Sequence, residues 1–239
     1  MFCFFILLKF SKQWGPVFHQ YVSNEFALEY FPHLNSSLHQ NFVLGNVLID
    51  SLPKQKFHNL TFLIELLSQE KSNSEKYWFY LGMLTHLSVD LFGHLGKPYS
   101  FLPLHPRILH YLSELSTCSV ILHCHQVSPL KITKVSRKIL HELGGIGPRL
   151  FSLFYSFWRF LASFNIQFII FNSENDHCVS HRPSNFNSHF YSQCILQNHI
   201  QGIKEAMWKT IMLYSNSELK SDKWVSIIMN EIKLVQCCY

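Results

Sequence analysis

The chain has few charged residues and no tract of charge of one sign. Only 15% of its 239 residues are Asp, Glu, Lys or Arg, and the basic residues behind the net charge of +5 are scattered. Such a composition excludes a charge-rich disordered protein. It also disfavours a basic, aromatic-studded groove for single-stranded nucleic acid. The hydrophobic fraction of 48% is enough to bury a sizeable core, as one large domain or two small ones.

The sequence also lacks internal repeats, low-complexity tracts and the alternating pattern of strands. Apolar residues instead recur at helical spacing, which predicts an all-α fold. The predicted helices cover residues 22–31, 42–49, 60–67, 77–92, 107–115, 151–171, 194–214 and 224–235. The segment HELGGIGP, rich in glycine, marks a hinge or boundary. We expect a metal-binding helical core over 14–145 and a helical C-terminal part, 146–239, packed on the same domain.

The N-terminus has no basic segment and no small-x-small cleavage site around its short apolar run, residues 2–8. We still predict a leader over residues 1–13, because this apolar run looks like the centre of a secretory signal. Asn35 (NSS) and Asn59 (NLT) are glycosylation acceptors compatible with secretion. Seven cysteines, or six without Cys3, leave disulfides open. The apolar stretch 151–171 is long enough to span a membrane, but its internal Arg159 favours a buried or amphipathic helix.

Against this background the stretch THLSVDLFGH is unusual. It places His86, Asp90 and His94 at steps of four, along one face of a helix that is otherwise apolar. A carboxylate buried between two imidazoles is costly unless it is paired or bound to a cation. Two interpretations follow: a metal site, or two core histidines with one buried ion pair.

Other metal-capable side chains occur before and after this stretch. In chain order the full set is His19, Asp50, His58, His86, Asp90, His94, His110 and Glu114. Eight such ligands are too many for one tetrahedral zinc ion but suit two or three ions that share a carboxylate. Histidines 123, 125, 177 and 181 are also metal-capable, and we interpret them as surface or loop residues.

Four motifs stand in a characteristic order: WGPVFH from Trp14, GNVLIDS from Gly45, FYLGMLTHLSVDLFGH from Phe79 and HYLSE from His110. Together they resemble the zinc-dependent phospholipase C family, including the N-terminal catalytic domain of glycosylphosphatidylinositol-specific phospholipase D. The resemblance covers about 14–115, somewhat under half of the chain.

The resemblance implies specific metal roles. One zinc would be held by Asp50, His58, His86 and Asp90, with Asp90 bridging to a second ion. His19 would bind the second ion together with Trp14, through a terminal amine that cleavage after Gln13 would free. A third ion would be held by His94, His110 and Glu114.

The resemblance also implies a function: a zinc-dependent phosphodiesterase with two or three ions, of the phospholipase C or D type, with Asp50 as the catalytic carboxylate. Its substrate would be a phospholipid or glycolipid at a membrane surface. Three alternatives stay open: a single-strand nuclease of the same superfamily, a non-catalytic helical relative with a partial metal site, and a small membrane protein that uses 151–171.

Overall fold

The computed structural model describes residues 15–95, 106–164 and 188–237, and this part of the chain is helical and contains no strand. The prediction of an all-α fold is confirmed. The helices are α1 (Pro16–Tyr30), α2 (Ser36–Leu48), α3 (Lys54–Phe57), α4 (Leu60–Ser68), α5 (Glu75–Leu95), α6 (Pro106–Cys124), α7 (Lys134–Glu142), α8 (Pro148–Ser163), α9 (Ser188–Ser215) and α10 (Ser221–Cys237). A short 3₁₀ turn, Ile49–Ser51, follows α2.

Helix ends follow local sequence signals. Pro16 is the first residue of α1, which therefore begins six residues before the predicted start at residue 22. The helix ends before Phe31, close to the predicted end. The two asparagines of the glycosylation triplets are N-caps: Asn35 accepts a hydrogen bond from the Leu38 N–H, and Asn59 accepts one from the Phe62 N–H. Both asparagines therefore have a structural role whether or not they carry a glycan.

Helix α5 is the central element. It packs against α2, α9, α4, α10 and α7, and its middle is buried on all sides. Many of the phenylalanines lie in the hydrophobic core around this helix. The fully buried phenylalanines include Phe18, Phe26, Phe42, Phe57, Phe79 and Phe92.

The crossing of α2 and α5 is unusually close because each helix presents a glycine to the other. A Cβ on Gly45 would lie 1.9 Å from the Phe79 carbonyl oxygen, and a Cβ on Gly82 would lie 2.0 Å from the Phe42 carbonyl oxygen. No side chain fits at either position without moving a backbone.

The segment HELGGIGP forms a turn that is fixed to the rest of the domain. Gly144 ends α7 in the left-handed region with φ of 74°. Two residues on, the Ile146 N–H donates a hydrogen bond to the Ser51 carbonyl at 3.0 Å. The start of α8 is thereby held beside the 3₁₀ turn that carries Asp50.

The predicted helix over 151–171 corresponds in its first part to α8, which ends at Ser163. Residues 165–171 of that prediction lie outside the described residues. Among the helices that are described, none is both long enough and apolar enough to cross a bilayer.

We predict that Gly82→Ala lowers the free energy of unfolding by about 3 kcal/mol, because its Cβ would force α2 and α5 apart. The matched control is Gly147→Ala, since nothing lies within 4 Å of a Cβ at Gly147. We expect that control to change stability by less than about 0.5 kcal/mol. Denaturant unfolding of both variants measures the difference, and equal stabilities would contradict the close crossing.

Candidate metal centre

Five of the predicted ligands meet at one end of the α2–α5 crossing. His86 and Asp90 lie one turn apart on α5, and His19 comes from α1. Asp50 lies in the 3₁₀ turn after α2, and His58 follows the last residue of α3. Four separate segments therefore supply the group, and only the His86–Asp90 pair is local in sequence.

Asp50, His58, His86 and Asp90 form a group that could hold a metal ion. Each offers one ligand atom, and these atoms all lie within 4.8 Å of one another. His86 Nε2 is 3.4 Å from Asp50 Oδ1 and 3.3 Å from Asp90 Oδ2. His58 Nε2 is 3.3 Å from Asp50 Oδ1 and 3.9 Å from Asp90 Oδ2.

These separations are those of ligands around a single ion. Two atoms that each bind zinc at about 2.1 Å with a tetrahedral angle between them lie about 3.4 Å apart. In addition, His86 Nε2 and Asp50 Oδ1 are buried and make no hydrogen bond of normal geometry, so that their polar contacts are the long ion pairs of 3.3–3.4 Å within the group. Buried polar atoms without partners are rare in folded proteins and require an explanation. A cation at the centre of the group is such an explanation.

A hydrogen bond to a backbone carbonyl fixes the orientation of the His86 ring. Its Nδ1 lies 2.7 Å from the Asn46 carbonyl oxygen, which can only accept a hydrogen bond. Nδ1 therefore carries a proton, and Nε2 is the atom directed at Asp50 and Asp90. A ring oriented in this way by a backbone carbonyl is typical of metal-bound histidine.

His19 is oriented by a chain of buried side chains. The Thr85 hydroxyl donates to the Gly82 carbonyl at 3.0 Å, so it accepts from Asn46 Nδ2 at 3.1 Å. The other amide atom of Asn46, Oδ1, then accepts from His19 Nδ1 at 3.0 Å. His19 Nε2 is left facing Asp90 Oδ1 at 3.4 Å.

The two oxygens of Asp90 thus face different partners. Oδ2 faces His86 and His58, whereas Oδ1 faces His19. The rings of His19 and His86 stack with their centroids 4.2 Å apart. A carboxylate placed between two sets of imidazole nitrogens has the arrangement of a bridging ligand.

Strong electrostatic coupling accompanies this geometry. Burial alone would raise the pKa of Asp90, but the charge of His86 and contacts with His19 and His86 hold it well below its usual value. Burial alone would likewise raise the pKa of Asp50, and the charge of His86 together with contacts from His58 outweighs it. Burial would lower the pKa of His86, yet Asp90 and Asp50 raise it to about 10. The two carboxylates therefore stay ionised and favour positive charge between them.

Exposure increases from one side of the group to the other. The His19 and His86 side chains are fully buried, while 10% of Asp90, 13% of His58 and 20% of Asp50 is exposed. Within the described part of the chain, the most exposed edge of the group is therefore the one formed by His58 and Asp50.

The remaining predicted ligands are placed less completely. Trp14 lies outside the described residues, and the side chains of His94 and His110 are likewise not described, although α5 and α6 contain both positions. Glu114 is buried on α6 and is not part of the group of four. The ligands assigned to a third ion therefore stay a prediction.

Sequence reasoning missed Asn46 and Thr85, which position the histidines without joining the group. Both lie inside motifs that contain predicted metal ligands: Asn46 in GNVLIDS and Thr85 in THLSVDLFGH. A signal was present, since a polar residue on the buried face of a helix needs a partner. The identity of that partner depends on the α2–α5 crossing.

The two histidines near the end of α6 take no part in the metal group. His123 Nδ1 donates to the Ser119 carbonyl of its own helix at 2.8 Å. The His125 ring lies against the Tyr21 ring at a tilt of 31°, and the Tyr21 hydroxyl lies 3.1 Å from the His125 Nδ1. Both therefore make local contacts away from the group of four.

No family model, curated protein or solved structure matches this chain.

We predict that Asn46→Ala weakens metal binding at the His19 side of the site by about 10- to 100-fold, because His19 loses the group that orients it. The control is Asn41→Ala, a second buried asparagine of α2 that bonds the Ser37 carbonyl away from the site. Competitive zinc titration of both proteins measures the effect. Equal affinities in the two variants would contradict the orienting role of Asn46.

Proposed function

We propose that this chain is a zinc-dependent phosphodiesterase of the phospholipase C or D type that acts on lipid headgroups. The observation that supports the proposal is the meeting of Asp50, His58, His86 and Asp90 in one buried group. The resemblance to the zinc-dependent phospholipase C family implies, from the sequence alone, that these four side chains hold one ion. Random placement of four side chains on three separate segments would rarely bring their ligand atoms within 4.8 Å.

The donor set favours zinc over the hard cations. Imidazole nitrogen and carboxylate oxygen together suit zinc, whereas calcium and magnesium prefer sites made of oxygen alone. The two-sided contacts of Asp90 support at least two ions, with His19 on the second. A third ion held by His94, His110 and Glu114 belongs to the same proposal.

Hydrolysis of a phosphodiester joins the oxygen of water to phosphorus, breaks the bond to the leaving alcohol and moves one proton. Clustered zinc ions, when bound, lower the pKa of a water molecule and neutralise charge on the phosphate. Asp50 is the more exposed of the two carboxylates, so it is the more accessible of them to an incoming water molecule. There it can orient the water and accept its proton.

The protein's other groups prepare this site. Asn46 fixes the two buried rings through its carbonyl and its side chain, so that His86 and His19 need no reorientation on binding. Asp90 keeps its charge although it is buried, and it offsets the charge of the bound cations. Among the described residues, His19 and His86 form the buried side of the group, and Asp50 and His58 form its more exposed side.

The choice of a lipid headgroup over nucleic acid rests on charge. The chain has a net charge of only +5 with scattered basic residues, whereas single-strand binding relies on a positive groove with stacked aromatic rings. A single phosphodiester on a headgroup needs no such groove. A nuclease of the same superfamily is the competing outcome of the activity assay.

The variant Asp90→Asn tests the metal centre. It keeps nearly the same shape and removes the charge between the imidazoles, so we expect the loss of at least one zinc per folded chain and of phosphodiester hydrolysis. The control is Glu142→Gln, the same carboxylate-to-amide change at an exposed pair with Lys76. That control should keep its zinc and its activity.

Zinc per folded chain, measured by atomic emission after gel filtration, distinguishes the two interpretations of this cluster. If Asp90 only formed a buried ion pair, Asp90→Asn would destabilise the fold by about 3 kcal/mol and leave metal content unchanged. Unchanged zinc would therefore refute the proposal. Release of headgroup from phosphatidylcholine, compared with cleavage of single-stranded DNA, then separates phospholipase from nuclease.

A further inference from the structure

Helix α8 has an exposed apolar stripe in addition to its buried face. The stripe repeats at steps of three and four residues, which places its members along one line of the helix. Its members are Leu150, Leu153, Phe157, Phe160 and Phe164. The face toward the protein is separate and consists of Phe151, Tyr155, Trp158 and Ala162. Helix α8 is therefore apolar on two faces, of which it buries one and leaves the other exposed.

The exposure of this stripe is large. Leu153 is 69% exposed and Phe160 is 58% exposed, and each has exposed apolar neighbours on both sides of it in the stripe. Isolated exposed apolar residues need no explanation, but a continuous patch marks a surface that meets another apolar phase or a partner.

The charge of α8 indicates which kind of surface it meets. Its sequence, PRLFSLFYSFWRFLAS, contains two arginines and no acidic residue. Arg149 is exposed at the start of the stripe, and serines 152, 156 and 163 are exposed along one side of it. An apolar stripe of leucine and phenylalanine bordered by arginine and small polar residues is typical of helices that lie in a membrane interface.

The position of α8 relates the stripe to the metal centre. The turn that leads into α8 is bonded to Ser51, the residue after Asp50, through the Ile146 N–H. Further along, Trp158 packs against Gly15, where a Cβ would lie 2.4 Å from its indole Nε1. Gly15 precedes α1, the helix that carries His19. Helix α8 therefore packs on the helix that carries His19, and the turn that leads into it is bonded to the segment that carries Asp50.

We propose that α8 docks the protein on an anionic lipid surface, with the stripe from Leu150 to Phe164 inserted among the lipids and Arg149 at the headgroups. The inference rests on the proposed function only for the statement that the lipid is also the substrate. Docking itself requires no hydrolysis and no metal. It uses residues outside the part of the chain that resembles the phospholipase family.

Vesicle co-sedimentation of the full chain tests the docking. The vesicles are phosphatidylcholine with and without phosphatidylglycerol, and the test variant is Leu153→Ser combined with Phe160→Ser. We expect the wild type to bind the vesicles that contain phosphatidylglycerol and the double variant to lose at least about tenfold in partitioning, because two large apolar side chains no longer leave water. The control is Leu28→Ser, a leucine that is 55% exposed on α1 outside the stripe; it should bind like the wild type.

The arginine has its own expected effect. Arg149→Gln should reduce binding to the phosphatidylglycerol vesicles by about fivefold and leave binding to pure phosphatidylcholine unchanged. High salt should abolish this difference, since the attraction is screened. An equal loss on both kinds of vesicle would contradict the electrostatic part of the proposal.

Asp90→Asn separates this inference from the proposed function. If docking is correct and the enzyme assignment is wrong, Asp90→Asn keeps both its vesicle binding and its zinc. If the enzyme assignment is correct and docking is wrong, the double variant binds vesicles as the wild type does, while zinc and hydrolysis still depend on Asp90. Absence of vesicle binding by the wild type refutes docking directly.

Two other occupants of the stripe would give different results. A second copy of the chain would make the double variant change oligomeric state in gel filtration without a change in vesicle binding. If another segment of the same chain covers the stripe, the melting temperature of the double variant would be several degrees below that of the wild type, and vesicle binding would again be unchanged. Either result overturns the proposal.

Discussion

The close crossing of α2 and α5 is the constraint on which the candidate site depends. Gly45 and Gly82 let the two backbones approach until no Cβ fits between them. At that distance the Asn46 carbonyl reaches His86 Nδ1 at 2.7 Å, and the Asn46 side chain can bond Thr85 on the other helix. A wider crossing would break both bonds, and the imidazoles would lose the orientation that directs Nε2 at the carboxylates. The glycines therefore influence the geometry of the candidate site through backbone distance alone.

The sequence predicted the fold class and the local part of the site for a physical reason. Helical periodicity is a property of neighbouring residues, so the spacing in THLSVDLFGH places His86 and Asp90 on one face of a helix without tertiary information. Asp50, His58 and His19 are different. Their places in the set came from the order of motifs, because no local pattern fixes how segments some thirty residues apart meet. Their assignment to one site was an expectation from the resemblance and could not have been made from spacing.

Two features could not be derived from the sequence. Asn46 takes its role from a partner helix, and a buried asparagine in isolation predicts only that some hydrogen bond exists. The apolar run 151–171 predicted a buried or amphipathic helix, but its composition does not determine which of two apolar faces packs against the rest of the protein. Burial is decided by the neighbours of α8, namely α6 and α1, and those contacts depend on the whole chain.

The gradient of exposure across the centre limits how any substrate can reach it. The imidazoles of His86 and His19 are sealed behind Asn46 and α5, while Asp50 and His58 face the outside. On the proposed function, a phosphodiester must enter from that outer side and present its phosphorus to water held near Asp50. The turn through Ile146 ties this same edge to the start of α8. If α8 docks on a lipid surface, this bond ties the segment that carries Asp50 to the docked helix, and binding at the surface would raise the local concentration of a lipid substrate around the protein.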